Sequence, residues 1–368
     1  MAQMLTTDRT RCLRTGEVRN MHKTDFGKTK EGQQVTKYTL VNKNGMEVSV
    51  IDYGATIVSV KVPAGEKKYD VVLGYDSAAG YQKYNCYFGT VVGRNCNRIA
   101  QAKVTLDGKE YQMEKNDNGE NNLHCGKNGF SKKIWTVEEV GESIITFSYL
   151  SPDMEQDLPG NMTAKVTYRL TDENELVISY EAVTDKTTVA NFTNHTYFNL
   201  DGHDSGKMEN QQLEILASYY TPVSDSKSIP TGDVVKVAGT PMDFRKMKPI
   251  GAEINADFDQ LKFAGGYDHN FVLDKADGSL QLAARAKAAK SGICMDVYTD
   301  CVGLQFYAGN FIGEQTGKDG AIYNDRHGFC LETQYFPNAI NEKNFKAPIL
   351  KLGEKYQSVT KYCFQVEK

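Results

Sequence analysis

Apolar residues recur at every second position along much of the chain. In "TAKVTYRL", Ala164, Val166, Tyr168 and Leu170 fall on one face and Thr163, Lys165, Thr167 and Arg169 on the other. After the turn-like "TDEN", the run "ELVISYEA" gives Leu176, Ile178, Tyr180 and Ala182 a shared face. Side chains alternate across a strand, so the two runs predict an antiparallel hairpin. "KVTLDGKEYQM" predicts another, turning at Asp107-Gly108, where positive φ is required. "MEVSVID", "TIVSVKV", "SIITFSYL", "QLEILASYY", "SLQLAARA", "ICMDVYT" and "VTKYCFQVE" add further strands. Helical patterns are confined to "DSAAGYQKY" and "FRKMKPIGAEI", neither longer than about three turns. There is no fixed-period repeat, linker or low-complexity stretch. The pattern predicts an all-β chain forming one large antiparallel sandwich.

Composition narrows the partners. The 368 residues are 40% apolar and 24% charged, an ordinary globular balance. A net charge of −4 and a pI near 5.9 leave no dominant basic patch, so neither nucleic acid nor an anionic membrane is expected as a partner. The opening "MAQMLTTDRTRCLRTGEVRN" lacks the apolar segment of a signal peptide, and no run reaches transmembrane length. Cys12, Cys86, Cys96, Cys125, Cys294, Cys301, Cys330 and Cys363 are scattered without a CxxC pair, which reads as reduced thiols in a cytoplasmic protein.

Candidate chemistry lies where polar groups interrupt apolar runs. "NFTNHTYFNL" interleaves three Asn, two Thr, a Tyr and His195 with Phe192, Phe198 and Leu200. Buried groups of this kind need partners. His124 in "NNLHCG" and His269 in "GYDHNFVL" sit in similar settings, whereas His22, His203 and His327 read as loop residues. For any one histidine taken alone, a satisfied core or turn residue is the stronger reading.

Glu332 in "GFCLETQYFPNAIN" interrupts an apolar strand and is either an outward-facing residue or a carboxylate held as a general base. Arg94 and Arg98 in "VVGRNCNRIA" are either surface ion pairs or guanidinium groups aimed into a polar cavity, and Gln305 in "GLQFYAGNF" shares that ambiguity. The chain carries no G-x-S-x-G elbow, P-loop, G-x-G-x-x-G after a strand, or HExxH. Sequence spacing gives no support to a metal site.

Taken in order, "VVGRNCNRIA", "NNLHCG", "NFTNHTYFNL", "GYDHNF", "GLQFYAGNF" and "FCLETQ" resemble the aldose 1-epimerase family, from about Lys23 to Phe364. The resemblance implies a β-supersandwich of residues 23–368 that binds a monosaccharide, an aldohexose, without cofactor or metal. Residues 1–22 then form an appended, disordered tail. It further implies Glu332 as general base, His195 as general acid and His124 as a residue holding the sugar and its developing charge. Asn97, Arg98, Asp268 and Gln305 would contact hydroxyls. Ordinary values of about 4.3 for Glu and about 6.5 for His lead to an expected ionised Glu332 beside a protonated His195.

Two departures stand out. Cys125 occupies a place where the family often has glycine, which is expected to restrict the backbone beside His124. Asn338 replaces a frequent Asp, and Tyr335-Phe336 an aromatic-Pro pair that often includes Trp. A monomer or weak homodimer is expected. The competing functions are a hexose-6-phosphate 1-epimerase, with Arg94 or Lys132-Lys133 meeting the phosphate, and a sugar-binding module without catalysis. A lyase or hydrolase with a long open groove is a more distant alternative.

Overall fold

A computed structural model describes residues 21–84 and 86–367. The proposed tail and Cys12 lie outside the described residues, apart from Met21, which packs on the core, and His22, which opens the first strand, His22–Lys28. His22 is therefore a strand residue, not a loop residue.

Three sheets carry the architecture. A nine-stranded sheet runs in the order Thr136–Val140, Ile144–Ser151, Met162–Leu170, Glu175–Thr184, Tyr356–Val366, Ile293–Thr299, Gln281–Lys287, Gln212–Ile215, Lys248–Pro249. A six-stranded sheet runs Tyr197–Phe198, Phe329–Gln334, Gly303–Tyr307, Asp268–Val272, Tyr219–Thr221, Val235–Lys236. The third is a five-stranded meander from His22 to Asp70. All named strand pairs are antiparallel, and the fold is the all-β sandwich that the period-two pattern predicts.

The predicted hairpins form as read. Met162–Leu170 pairs with Glu175–Thr184 in continuous register, and Ala164, Val166, Tyr168, Leu170, Leu176, Ile178, Tyr180 and Ala182 are all buried. At the second hairpin Asp107 and Gly108 both take positive φ, 48° and 79°. Burying such a face removes roughly 1.5–3 kcal/mol of apolar exposure per large side chain, which fixes the register.

Three expectations change. "FRKMKPIGAEI" is not a helix: Pro249 cannot extend one, and the segment makes a two-residue strand, Lys248–Pro249, and a single 3₁₀ turn. "QLEILASYY" is not one strand but two, Gln212–Ile215 in the nine-stranded sheet and Tyr219–Thr221 in the six-stranded one. A helix unforeseen in the sequence, Asp259–Ala264, ends at Gly265, whose φ of 67° suits glycine, and leads into the Asp268 strand. The helix read from "DSAAGYQKY" forms as Ala78–Lys83, capped by the Ser77 hydroxyl.

The six-stranded sheet has two working faces. Phe329, Leu331, Leu304, Phe306 and Phe271 join the main core, where the Tyr362 hydroxyl donates to the Leu331 carbonyl and Phe198 packs on Tyr362 at 5.0 Å. Alternation therefore turns Cys330, Glu332 and Gln334 to the opposite face. No helix among the described residues is long and apolar enough to cross a membrane.

Candidate active site

Register aligns the site. Glu332 lies opposite Gln305, and Cys330 opposite Tyr307, which in turn faces Asp268. Period two sends His269 the other way: it pairs with Phe306, is buried beside Tyr220, and lies outside the pocket.

The face carrying Glu332 floors a cavity of about 430 Å³. Six of the seven sequence-derived site residues line it: Asn97, Arg98, His124, His195, Asp268 and Glu332. Gln305 stands just behind, donating from Nε2 to Asp268 Oδ1 at 2.7 Å. Arg98 reaches Asp117 at 3.1 Å and Asp268 at 3.6 Å, so its fork is spread between two carboxylates at the cavity wall.

His195 does not sit in a continuous strand. It lies between the short strands Thr193–Asn194 and Tyr197–Phe198, in a segment buried from end to end. Its ring lies nearly parallel to Tyr197 (5.0 Å, 17°) and Tyr87 (5.8 Å, 20°). Its Nε2 is 3.7 Å from Glu332 Oε1, and Cys330 Sγ lies 3.4 Å from its Nδ1. The other carboxyl oxygen, Glu332 Oε2, is buried without a hydrogen-bond partner among the described residues. A buried polar atom left open at a cavity is where a ligand hydroxyl would bond.

His124 is set by its backbone. Asn97, His124, Cys125 and Gly126 all take left-handed φ, from 54° to 67°, and the Asn97 N–H donates to His124 Nδ1 at 3.1 Å. That leaves Nε2 toward the cavity. Cys125 adopts φ 61° despite its side chain, and its sulfur accepts the Asn95 N–H at 3.1 Å, so the Cys departure is absorbed without displacing His124 from the pocket. Asn338 is a support: its N–H donates to the Arg98 carbonyl and its Oδ1 accepts the Ala100 N–H.

Arg94 matches neither sequence reading. It is fully buried and donates to Ser151 Oγ and to the carbonyls of Ser151, Pro152, Leu158 and Pro159, tying loops together away from the cavity. His203 sits in a turn, as read, and is buried there against the Tyr323 hydroxyl. Sequence reading missed Tyr87, Tyr197, Tyr307 and Asp117. Only "YFG" and "NDNG", short and common strings, carry Tyr87 and Asp117.

Burial sets the charge states. It pushes the Glu332 carboxyl well above its ordinary value, with Asp268 adding to the shift and Arg98 opposing it. It pulls His195 down to about 4 and His124 well below the usual imidazole range, the latter helped by His195 and Arg98. Protein groups alone thus favour a protonated Glu332 and neutral imidazoles, the reverse of the expected ion pair, because a low dielectric penalises both charges. The ligand atoms of His124, His195 and Glu332 lie within 4.8 Å of one another, close enough to hold one divalent ion.

The aldose 1-epimerase family model matches residues 36–363. A galactose mutarotase of Sus scrofa is 41% identical over 343 residues, 93% of this chain and 97% of that protein. An aldose 1-epimerase of Escherichia coli K12 is 39% identical, over 92% of this chain and 97% of that protein. Among solved structures, a galactose 1-epimerase from Lactobacillus acidophilus superposes with a TM-score of 0.81 at 28% identity, covering 95% and 99% of the two chains. With the site geometry above, these matches establish that the chain belongs to the aldose 1-epimerase family.

Proposed function

We propose that the chain is a mutarotase acting on free aldohexoses such as galactose and glucose, with Glu332 as base and His195 as acid. The observation that carries this is the facing pair, Nε2 to Oε1 at 3.7 Å, on a cavity wall where Glu332 Oε2 stands open. The Glu332 carboxylate takes the proton of the anomeric hydroxyl, the C1–O5 bond breaks, and His195 Nε2 gives its proton to O5. Rotation about C1–C2 presents the other face of the aldehyde, and the reverse transfers close the opposite anomer.

The pair holds one proton throughout, moving between an ion pair and a neutral pair. Burial favours the neutral pair, which is the state that accompanies the open-chain aldehyde. The low-dielectric site therefore drives the opening step once the ion pair has formed. Forming that ion pair from the neutral resting pair costs the same free energy, which the bound sugar's hydroxyls must offset. His124 holds the oxygen that carries developing charge, while Asn97, Arg98, Asp268 and Gln305 receive hydroxyls. No cofactor or metal enters the reaction.

The hexose 6-phosphate alternative loses Arg94, whose donors are engaged with carbonyls, and Lys133, which pairs with Glu155 at 2.5 Å. We read residues 23–368 as one folding unit, since one core runs from Tyr38 to Phe364. We also read the chain as a cytoplasmic monomer or weak homodimer. The seven described cysteines are all free thiols, in keeping with a reducing compartment.

Polarimetry on fresh α-D-galactose and α-D-glucose tests the reaction. Wild type accelerates equilibration, Glu332→Gln and His195→Asn do not, and dialysis against a chelator leaves the rate unchanged. A wild type no faster than buffer on both sugars refutes the reading.

A further inference from the structure

We infer that Cys330 holds the Nδ1–H of His195, so that only Nε2 of that ring exchanges protons with the sugar. The inference rests on His195 being the acid and deepens that reading. Cys330 lies two residues before Glu332 on the Phe329–Gln334 strand, so alternation turns both toward the same imidazole. Its cross-strand partner is Tyr197, whose ring stacks on His195. Tyr197 and Tyr87 fix the plane of the imidazole. Within that plane, Glu332 at Nε2 and the sulfur at Nδ1, 3.4 Å away, fix its rotation. Both Cys330 and His195 are buried, so water does not compete for Nδ1.

The protonation logic leaves the sulfur one role. When His195 is the acid it is an imidazolium, and both ring nitrogens carry hydrogen. Nε2–H faces the reacting oxygen, so Nδ1–H donates to Sγ, which is a weak acceptor. After transfer, the Nδ1–H tautomer leaves Nε2 bare and ready to take the proton back when the ring closes. The opposite tautomer, with the thiol donating to a bare Nδ1, would require transfer from neutral imidazole and create an imidazolate.

A carboxylate at this position would add a negative charge and make the imidazolium a weaker acid. The thiol adds none, since burial and the neighbouring Glu332 keep it protonated. Cys330 is thus a positioning residue that steers the exchange to one nitrogen without blunting the acid.

Long-range ¹H–¹⁵N spectra of the enzyme labelled at histidine nitrogen test this directly, with His195 assigned by its disappearance in His195→Asn. The expected result is hydrogen on Nδ1 in wild type and in Cys330→Ser, which keeps an acceptor. In Cys330→Ala the two tautomers mix, and kcat falls about tenfold with KM within about twofold, the scale on which losing the partner of a working imidazole is felt. Cys330→Ser retains most of the wild-type kcat. Hydrogen on Nε2 in wild type overturns the inference, as does a Cys330→Ala enzyme unchanged in both tautomer and kcat. Should Cys330→Ala not fold, the wild-type spectrum decides alone. If His195→Asn keeps full activity, the acid reading fails while the tautomer measurement stands independently.

Discussion

The Asp70–Lys318 and Glu332–His195 pairs are almost equally hidden, with side-chain exposures of 11% and 7% in the first and 3% and 7% in the second. Their wiring differs. Lys318 Nζ donates to Asp70 at 2.6 Å and to the Val58 carbonyl at 2.9 Å, and Asp70 also accepts the Val60 N–H. Burial alone would raise the Asp70 carboxyl, but the Lys318 charge and hydrogen bond outweigh it and hold that carboxyl below its ordinary value. Glu332 has neither a close cation nor a partner for Oε2, and its carboxyl is driven up. Burial by itself does not distinguish structure from function. What distinguishes them is whether the buried charge is already satisfied by the fold.

Breaking each pair separates the two roles. Lys318→Met leaves Asp70 buried and uncompensated and is expected to cost about 3–5 kcal/mol of stability, while the protein that remains folded turns over normally. Glu332→Gln behaves oppositely: activity falls about 10³-fold or more, and stability rises above pH 4.5. The sign follows from the raised carboxyl. Below pH 4.5 folded and unfolded forms are both protonated. As pH rises, the unfolded carboxyl ionises freely and the folded one resists, so wild type loses stability that the glutamine variant keeps. Thermal melts at pH 8 should show the variant about 2 °C or more above wild type. A destabilised Glu332→Gln would sink the contrast.

The histidines sharpen it from the acid side. His195 and His269 are both pulled down to about 4 by burial, so the stability tied to their neutral rings is complete above pH 6.5 and lost as pH falls toward 4. The effect is at most about 3 kcal/mol each. Urea midpoints between pH 7 and 4.5 should fall less steeply in His269→Gln than in wild type, with mutarotation retained because His269 faces the core. Equal slopes would refute the assignment.

Sequence made the sheets legible because period-two patterning records which face is buried, and "TAKVTYRL" and "ELVISYEA" record it without ambiguity. At Glu332 the same pattern left two readings open, outward-facing residue or held base, because alternation alone does not say which face of a strand is the core. "QLEILASYY" misled because alternating and apolar residues run on from Gln212 to Tyr220 with no Gly or Pro to mark where the chain changes sheets. Arg94 misled because its partners, the carbonyls near Ser151 and Leu158, are distant in sequence. Tyr87 was invisible for the same reason: its contacts with His124 and His195 exist only after three separate loops have met.

The smallest effect is expected at Cys125, and it tests how far backbone strain matters near the site. A non-glycine residue at φ 61° costs about 1–2 kcal/mol, which Cys125→Gly would relieve. The same change removes the sulfur that accepts the Asn95 N–H and leaves a buried donor open, costing about 1–3 kcal/mol. The two terms nearly cancel, so stability should move by no more than about 1 kcal/mol in denaturant titration. His124 is held independently through the Asn97 N–H, so kcat should stay within about twofold. A larger loss of kcat at unchanged stability would mean that the thiol, not only the Asn97 contact, fixes the His124 loop, and the site's tolerance for sequence change would then be narrower than its hydrogen bonds imply.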